Sequence, residues 1–194
     1  MRIRMIISAV MLFLASTAIT AFGQQAAVVT GTALIYGQGR DLSTRTVHFR
    51  ININKTTSDA DTDRFLKILK SDGQDGLQKA IHNENLGTFS LNNGIGLNIN
   101  AVRVQDLDGK RKIYIVFERW LGTAEVRYGY RSLDYPFSYI ELTLDKDTGK
   151  GEGIYFAAAK IRWQKDKSNP QIEVENFATF PSKLMAVEAT GRKL

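Results

Sequence analysis

FSYIELTLDKDTGKGEGIYFAAAKIRWQKDKSNPQIEVEN, residues 137–176, decides how the rest of this chain is read. Ile140, Leu142 and Leu144 alternate with Tyr139, Glu141 and Thr143, the period-two pattern of a half-buried strand. Asp145 to Gly151 then supplies turn formers, with Gly149 free to take positive φ. Facing Lys146 with Lys150 predicts Leu142 opposite Ile154 and Ile140 opposite Phe156, apolar pairs of the kind that stabilise sheets. The strand beginning at Glu152 runs to Gln164, leaves through Lys165–Pro170 and returns as Gln171 to Asn176. Trp163 opposite Ile172 sets Ile161 against Val174, Arg162 against Glu173 and Lys160 against Glu175. Hydrocarbon meets hydrocarbon on one face and opposite charges meet on the other, so a slip of one residue spoils both.

Within the middle strand, Ile154 and Phe156 share parity with Lys160 and Arg162, so the buried face changes sides near Ala157-Ala158-Ala159. A bulge there accounts for the change. Covering one end of the sheet on both faces, by helices or by closure into a barrel, accounts for it equally.

Upstream, Ala26 to Tyr36 reads as a first strand, and Val47, Phe49, Ile51 and Ile53 as the apolar side of a second. The period then changes. Ser58 with Asp61 resembles a capping box, and Phe65, Leu66, Ile68 and Leu69 form an apolar stripe ended by Gly73. A shorter helix carries Leu77, Ala80 and Ile81, giving a helical hairpin that must pack on the sheet. A brief apolar segment at Phe89 and Leu91 precedes the loop at Asn92-Asn93-Gly94. Asp108-Gly109 is the dipeptide that a type I′ hairpin prefers; it sets Val104 against Ile113, Val102 against Ile115, Arg103 against Tyr114 and Gln105 against Lys112. From Arg119 to Pro136 the pattern breaks into a long connection, with a short strand expected at Ala124 to Tyr128. Leu184 to Val187 forms the last strand.

The fold class expected is therefore α+β: a curled or barrel-like antiparallel sheet of about seven or eight strands, with the helical hairpin inserted after the second. In element order this resembles helix-grip ligand-binding folds; their long C-terminal helix has no counterpart here, so no family follows.

Arg2 and Arg4 precede an apolar run from Met5 to about Ala15, too short for a membrane span, and Ala21 and Gly23 occupy the −3 and −1 positions of a cleavage site before Gln24. Residues 1–23 are read as a signal peptide and 24–194 as a single domain, exported to the periplasm or beyond in a bacterium, with no transmembrane segment in the mature chain. The chain has no cysteine, which excludes disulfides, thiol nucleophiles and thiolate metal sites. About 171 mature residues suffice for a core without such cross-links. Losing Arg2 and Arg4 lowers the formal charge from +6 to +4, with both signs interspersed and no basic block, so no nucleic-acid partner is expected.

The connection from Arg119 onward holds the candidate ligand-binding residues Arg119, Trp120, Arg127, Tyr128, Tyr130, Arg131 and Tyr135, with Tyr139 beyond them. Guanidinium forks beside flat rings suit a carboxylate, phosphate or sugar. The same residues also serve to close one end of a sheet, the arginines pairing with Glu118, Glu125 and Asp134. Glu118, Glu125, Asp134 and Glu141 are candidates for an acid/base pair, whose separation a sequence does not fix.

No catalytic residue, cofactor or metal is assigned. Asp145 to Gly149 opens like a calcium loop but has Phe156 at the twelfth position; the run from Asp59 has Arg64 and Lys70 where glycine and glutamate belong. His48 and His82 lack ligand spacing, and Gly149 to Gly153 lacks that of a phosphate loop. The function expected is an exported, non-enzymatic domain that binds a small molecule, glycan or protein. The alternatives are an envelope hydrolase using Glu118 or Asp134 with Glu141, and a purely structural envelope protein.

Overall fold

A computed structural model describes residues 27–36, 43–164 and 172–191. The expected signal peptide, residues 37–42 and the expected connection at 165–170 lie outside the described residues. The two hairpins read from matched pairs form in the register expected. Strands β5 (Ala101–Leu107) and β6 (Lys110–Glu118) pair Val104 with Ile113 and Val102 with Ile115. Between them Asp108 and Gly109 both take positive φ (28° and 76°), as a type I′ turn demands. Strands β8 (Lys150–Trp163) and β9 (Ile172–Asn176) pair Trp163 with Ile172 and Ile161 with Val174. On the polar face Arg162 pairs with Glu175 and lies 3.7 Å from Glu173.

The register between β7 (Phe137–Asp145) and β8 departs from expectation by one residue: Leu142 faces Gly153 and Ile140 faces Tyr155, rather than Ile154 and Phe156. The turn is responsible. Asp145 Oδ1 accepts from the amides of Asp147 (3.2 Å) and Thr148 (3.0 Å), and the Gly149 amide donates to the Asp145 carbonyl (2.9 Å) with φ 67°. The chain re-enters the ladder with Gly151 opposite Leu144. Glycine is required there, because a Cβ on Gly151 or Gly153 would lie 2.0 or 2.3 Å from a carbonyl oxygen of β7. The change of face is a bulge, one of the two readings the sequence leaves open, the register shifting between the Phe137–Ala159 and Tyr139–Phe156 pairs. Ser138 Oγ donates to the freed Ala157 carbonyl (3.0 Å). Tyr155 thus points into one core while Phe156, Ala159 and Ile161 line the other.

With β1 (Ala27–Tyr36), β2 (Thr44–Ile53), β3 (Gly87–Leu91), β4 (Leu97–Ile99) and β10 (Ser182–Gly191), the described residues form one antiparallel sheet of ten strands. Its order is β4-β3-β2-β1-β10-β8-β7-β6-β5, with β9 beside β8. The first and last strands of that order are separated in the chain by Asn100 alone, so one bent segment pairs with β3 and then with β6. The sheet thereby becomes a nearly closed barrel. Asn100, 4% exposed, holds the joint: its side chain donates to the Glu84 carbonyl and accepts from the Glu118 amide, both at 2.9 Å. Beside it Thr57 exchanges two bonds with Val102, at 2.8 and 2.9 Å. Phe89, Phe117 and Tyr155 fill the interior, with ring centroids 5.1 and 5.4 Å apart, among Val29, Ile51, Ile113 and Ile140.

Helix α1 (Asp59–Ile81) starts where expected, the Ser58 hydroxyl accepting from the Asp61 amide at 3.0 Å. It breaks at Gly73 (φ 69°, ψ −161°). In a straight helix Arg64 and Glu84 would stand about 30 Å apart; they form an ion pair at 3.6 Å. The element is therefore a hairpin folded at Gly73. Its Phe65, Leu69, Leu77 and Ile81 bury the outer face of β7 and β8, at Phe137, Tyr139, Ala159 and Ile161. Among the described residues no helix is long and apolar enough to cross a membrane.

Two substitutions test this architecture by urea unfolding. Asn100→Ala, which strands a buried amide and a buried carbonyl, is expected to cost about 2–4 kcal/mol. Ala186, an exposed bulge residue between β10 and its neighbours, sits at φ 47°. Ala186→Gly is expected to gain about 0.5–1 kcal/mol, the relief of left-handed strain less the added freedom of the unfolded chain.

Candidate functional site

The connection between β6 and β7 is built on one guanidinium. The Arg119 side chain is 9% exposed, and its Nε donates to the Tyr135 carbonyl and its Nη2 to the Ser132 carbonyl, each at 2.7 Å. Both Nη atoms also reach Glu125 at 3.1 Å. Glu125 accepts in addition from the Gly122 amide (3.0 Å) and the Ser132 hydroxyl (2.6 Å). Chiefly because of Arg119, its carboxyl is held down to about 2. The Arg119 amide closes the base of the connection on the Pro136 carbonyl (3.1 Å).

This framework turns the segment expected as a strand at Ala124–Tyr128 into a helix, α2 (Thr123–Tyr128), followed by a 3₁₀ turn at Arg131–Asp134. A six-residue helix has too few internal bonds to stand alone. Glu125 satisfies its first amide, and Gly129, left-handed at φ 61° and ψ 47°, ends it with a bond to the Glu125 carbonyl. Sequence reasoning missed α2; Gly122-x-x-Glu125 followed by Gly129 was the available signal.

None of the α2 side chains is buried. Trp120 is 75% exposed, Tyr128 65%, Val126 59% and Tyr130 52%. The Tyr128 and Tyr130 rings stack with centroids 6.2 Å apart, and the Arg127 guanidinium lies 5.8 Å from the Tyr128 ring. Arg131 is exposed as well. Of the residues singled out from the sequence, Trp120, Arg127, Tyr128, Tyr130 and Arg131 thus share one exposed segment. The others serve the framework. Tyr135 turns towards β9, donating its hydroxyl to Glu175 and packing on Phe177 at 5.1 Å, and the bond to Glu175 raises its hydroxyl pKa. Tyr139 lies under α1 and donates to Glu141 (3.1 Å); burial foremost, then Glu141, pushes its hydroxyl pKa up.

Three of the four carboxylates considered for acid/base work hold structural partners: Glu118 has His82 Nδ1 at 3.0 Å, Glu125 has Arg119, and Glu141 has Lys112 at 3.1 Å, whereas Asp134 is exposed and forms no ion pair among the described residues. Asp145 binds its own turn, and Asp59 and Asp61 pair with Arg103 and Arg64. No protein-family model, no curated protein and no solved structure matches the chain.

Because Glu125 is acidified on folding from the ordinary 4.5 to about 2, it contributes stability above pH 4.5 that fades as the pH falls through about 2. Glu125→Gln is expected to be less stable than the wild type at pH 7, and the gap to close across that window in denaturant melts. Arg119→Ala, which leaves the Glu125 carboxylate without its cation and the Tyr135 carbonyl without its side-chain donor, is expected to cost about 3 kcal/mol.

Proposed function

We propose that this chain is an exported, non-enzymatic binding domain and that the β6–β7 connection is its recognition element. One observation carries the proposal: a part-buried Arg119–Glu125 framework holds an otherwise unstable helix in place, and what it displays is Trp120, Tyr128, Tyr130 and Arg127. Tryptophan, tyrosine and arginine dominate binding energy where proteins meet partners, and a display fixed beforehand loses little freedom on binding. The partner presents an extended surface rather than entering the barrel, whose interior is taken up by Phe89, Phe117 and Tyr155. Export is supported by Arg2, Arg4, the apolar run after them and the Ala21/Gly23 pair.

The test places a photo-crosslinking residue at Trp120 or Tyr128, or at the exposed control positions His48 and Lys67, in cells that make the protein. Discrete adducts at the first two positions alone are expected, on a chain whose intact mass begins at Gln24. No adduct, or adducts equally at the controls, would overturn the recognition element; an unprocessed N-terminus recovered in the cytoplasm would overturn export.

A further inference from the structure

We infer that the partner is a lipid surface carrying anionic headgroups, an inference that rests on the β6–β7 connection being the recognition element. Neighbouring strands alternate in direction, so β4, β7 and β10 all start towards one end of the barrel. The connections leading into them are β3–β4, β6–β7 and β9–β10. Ten large apolar side chains are prominently exposed among the described residues, and eight lie on these three connections. They include Ile95, Trp120, Tyr128, Tyr130 and Phe180; only Leu107 and Met185 lie elsewhere. The opposite end carries turns at Asp108-Gly109 and Asp145–Lys150 with the charged pairs Arg111–Asp106, Lys146–Asp106 and Lys110–Asp145. The barrel is polarised.

A protein partner engages a compact patch with a central pocket or anchor. Apolar tips spread over three separate connections instead suit a planar occupant that each tip enters shallowly. Tryptophan and tyrosine, apolar in body and polar at one edge, are the side chains that settle at the level of lipid headgroups. The charge agrees. Glu125 is neutralised by Arg119, and neither Arg127 nor Arg131 takes part in an ion pair among the described residues; against the one exposed carboxylate of the connection, Asp134, they leave it net cationic. Aromatic tips with free cations beside them fit an anionic bilayer interface, where each arginine adds attraction to the apolar contact.

Trp120 and Trp163 are the only two tryptophans, and Trp163 is half-buried at Lys70 of α1. Trp163→Phe therefore makes Trp120 the sole reporter. The chain, as the producing cell processes it, is mixed with vesicles of phosphatidylcholine and phosphatidylglycerol (about 3:1) or of phosphatidylcholine alone. A blue shift of Trp120 emission with co-sedimentation on the anionic vesicles is expected, together with roughly 10- to 30-fold weaker partitioning of Arg127→Gln/Arg131→Gln. The complementary Trp120→Phe variant, with its melting unchanged, must lose the shift.

Absence of co-sedimentation, or binding with unshifted Trp120 and no effect of the double arginine substitution, would overturn the lipid inference. If vesicles fail while position 120 still captures one discrete protein in cells, the membrane is the wrong partner and the recognition element stands. If both fail, both are wrong.

Discussion

A β-segment that passes from one neighbour to another inside a closed sheet has to satisfy its backbone at the crossing, where neither ladder reaches. Here that crossing is one residue wide. Leu97 to Ile99 belong with β3, Ala101 onward belongs with β6, and Asn100 stands between them, buried. Its amide donates to Val116, while its carboxamide serves the Glu84 carbonyl and the Glu118 amide. Leaving buried polar groups unpaired costs about 1–3 kcal/mol each, a large part of the stability of a domain this size. The same joint ties together three things: the closing seam, the returning arm of the helical hairpin, and the end of β6. Arg119 follows directly, so the base of the recognition element inherits its position from the seam.

The hairpin exists because the barrel is not sufficient by itself. The first half of β7 is apolar on both faces, and the outer face that it forms with Phe156, Ala159 and Ile161 of β8 must be covered. Gly73 allows the helix to double back, so two short apolar stripes lie over Tyr139 and Ile161 where one straight helix would run past them. The bulge at Ala157 serves the same end. It shifts β8 by one residue, so that Phe156 and Ile161 both face the helices although their spacing would place them on opposite sides.

Much of this was legible before any coordinates, and the reason differs from element to element. Asp108-Gly109 and the Arg162–Glu173 and Ile161–Val174 pairs fixed their hairpins because turn chemistry and cross-strand matching agreed. The β7–β8 register differs from the expected one by one residue because apolar matching favours Ile154 and Phe156, of which Phe156 packs on the helix side and Ile154 faces Glu141. Gly151 and Gly153, which face Leu144 and Leu142, offer no side chain to match. Their importance lies in close backbone approach, which pairing rules do not see. Strand β4 escaped notice because three residues show no period. The exposed aromatics were legible as a composition, but their division was not: Arg119, Tyr135 and Tyr139 look like Arg127, Tyr128 and Tyr130 in sequence. Only the carbonyls of Ser132 and Tyr135 converging on Arg119, and the placement of Tyr139 under α1, separate framework from display.

Closure at Asn100 is tested most directly by nuclear Overhauser contacts on its two sides, recorded on one isotopically labelled sample. Backbone contacts between Asn98 and Thr88 and between Ala101 and Val116 should appear together at full intensity, with the Glu118 amide near the Asn100 carboxamide. Finding one set without the other would leave an open sheet with a free edge, and the seam described here would not exist.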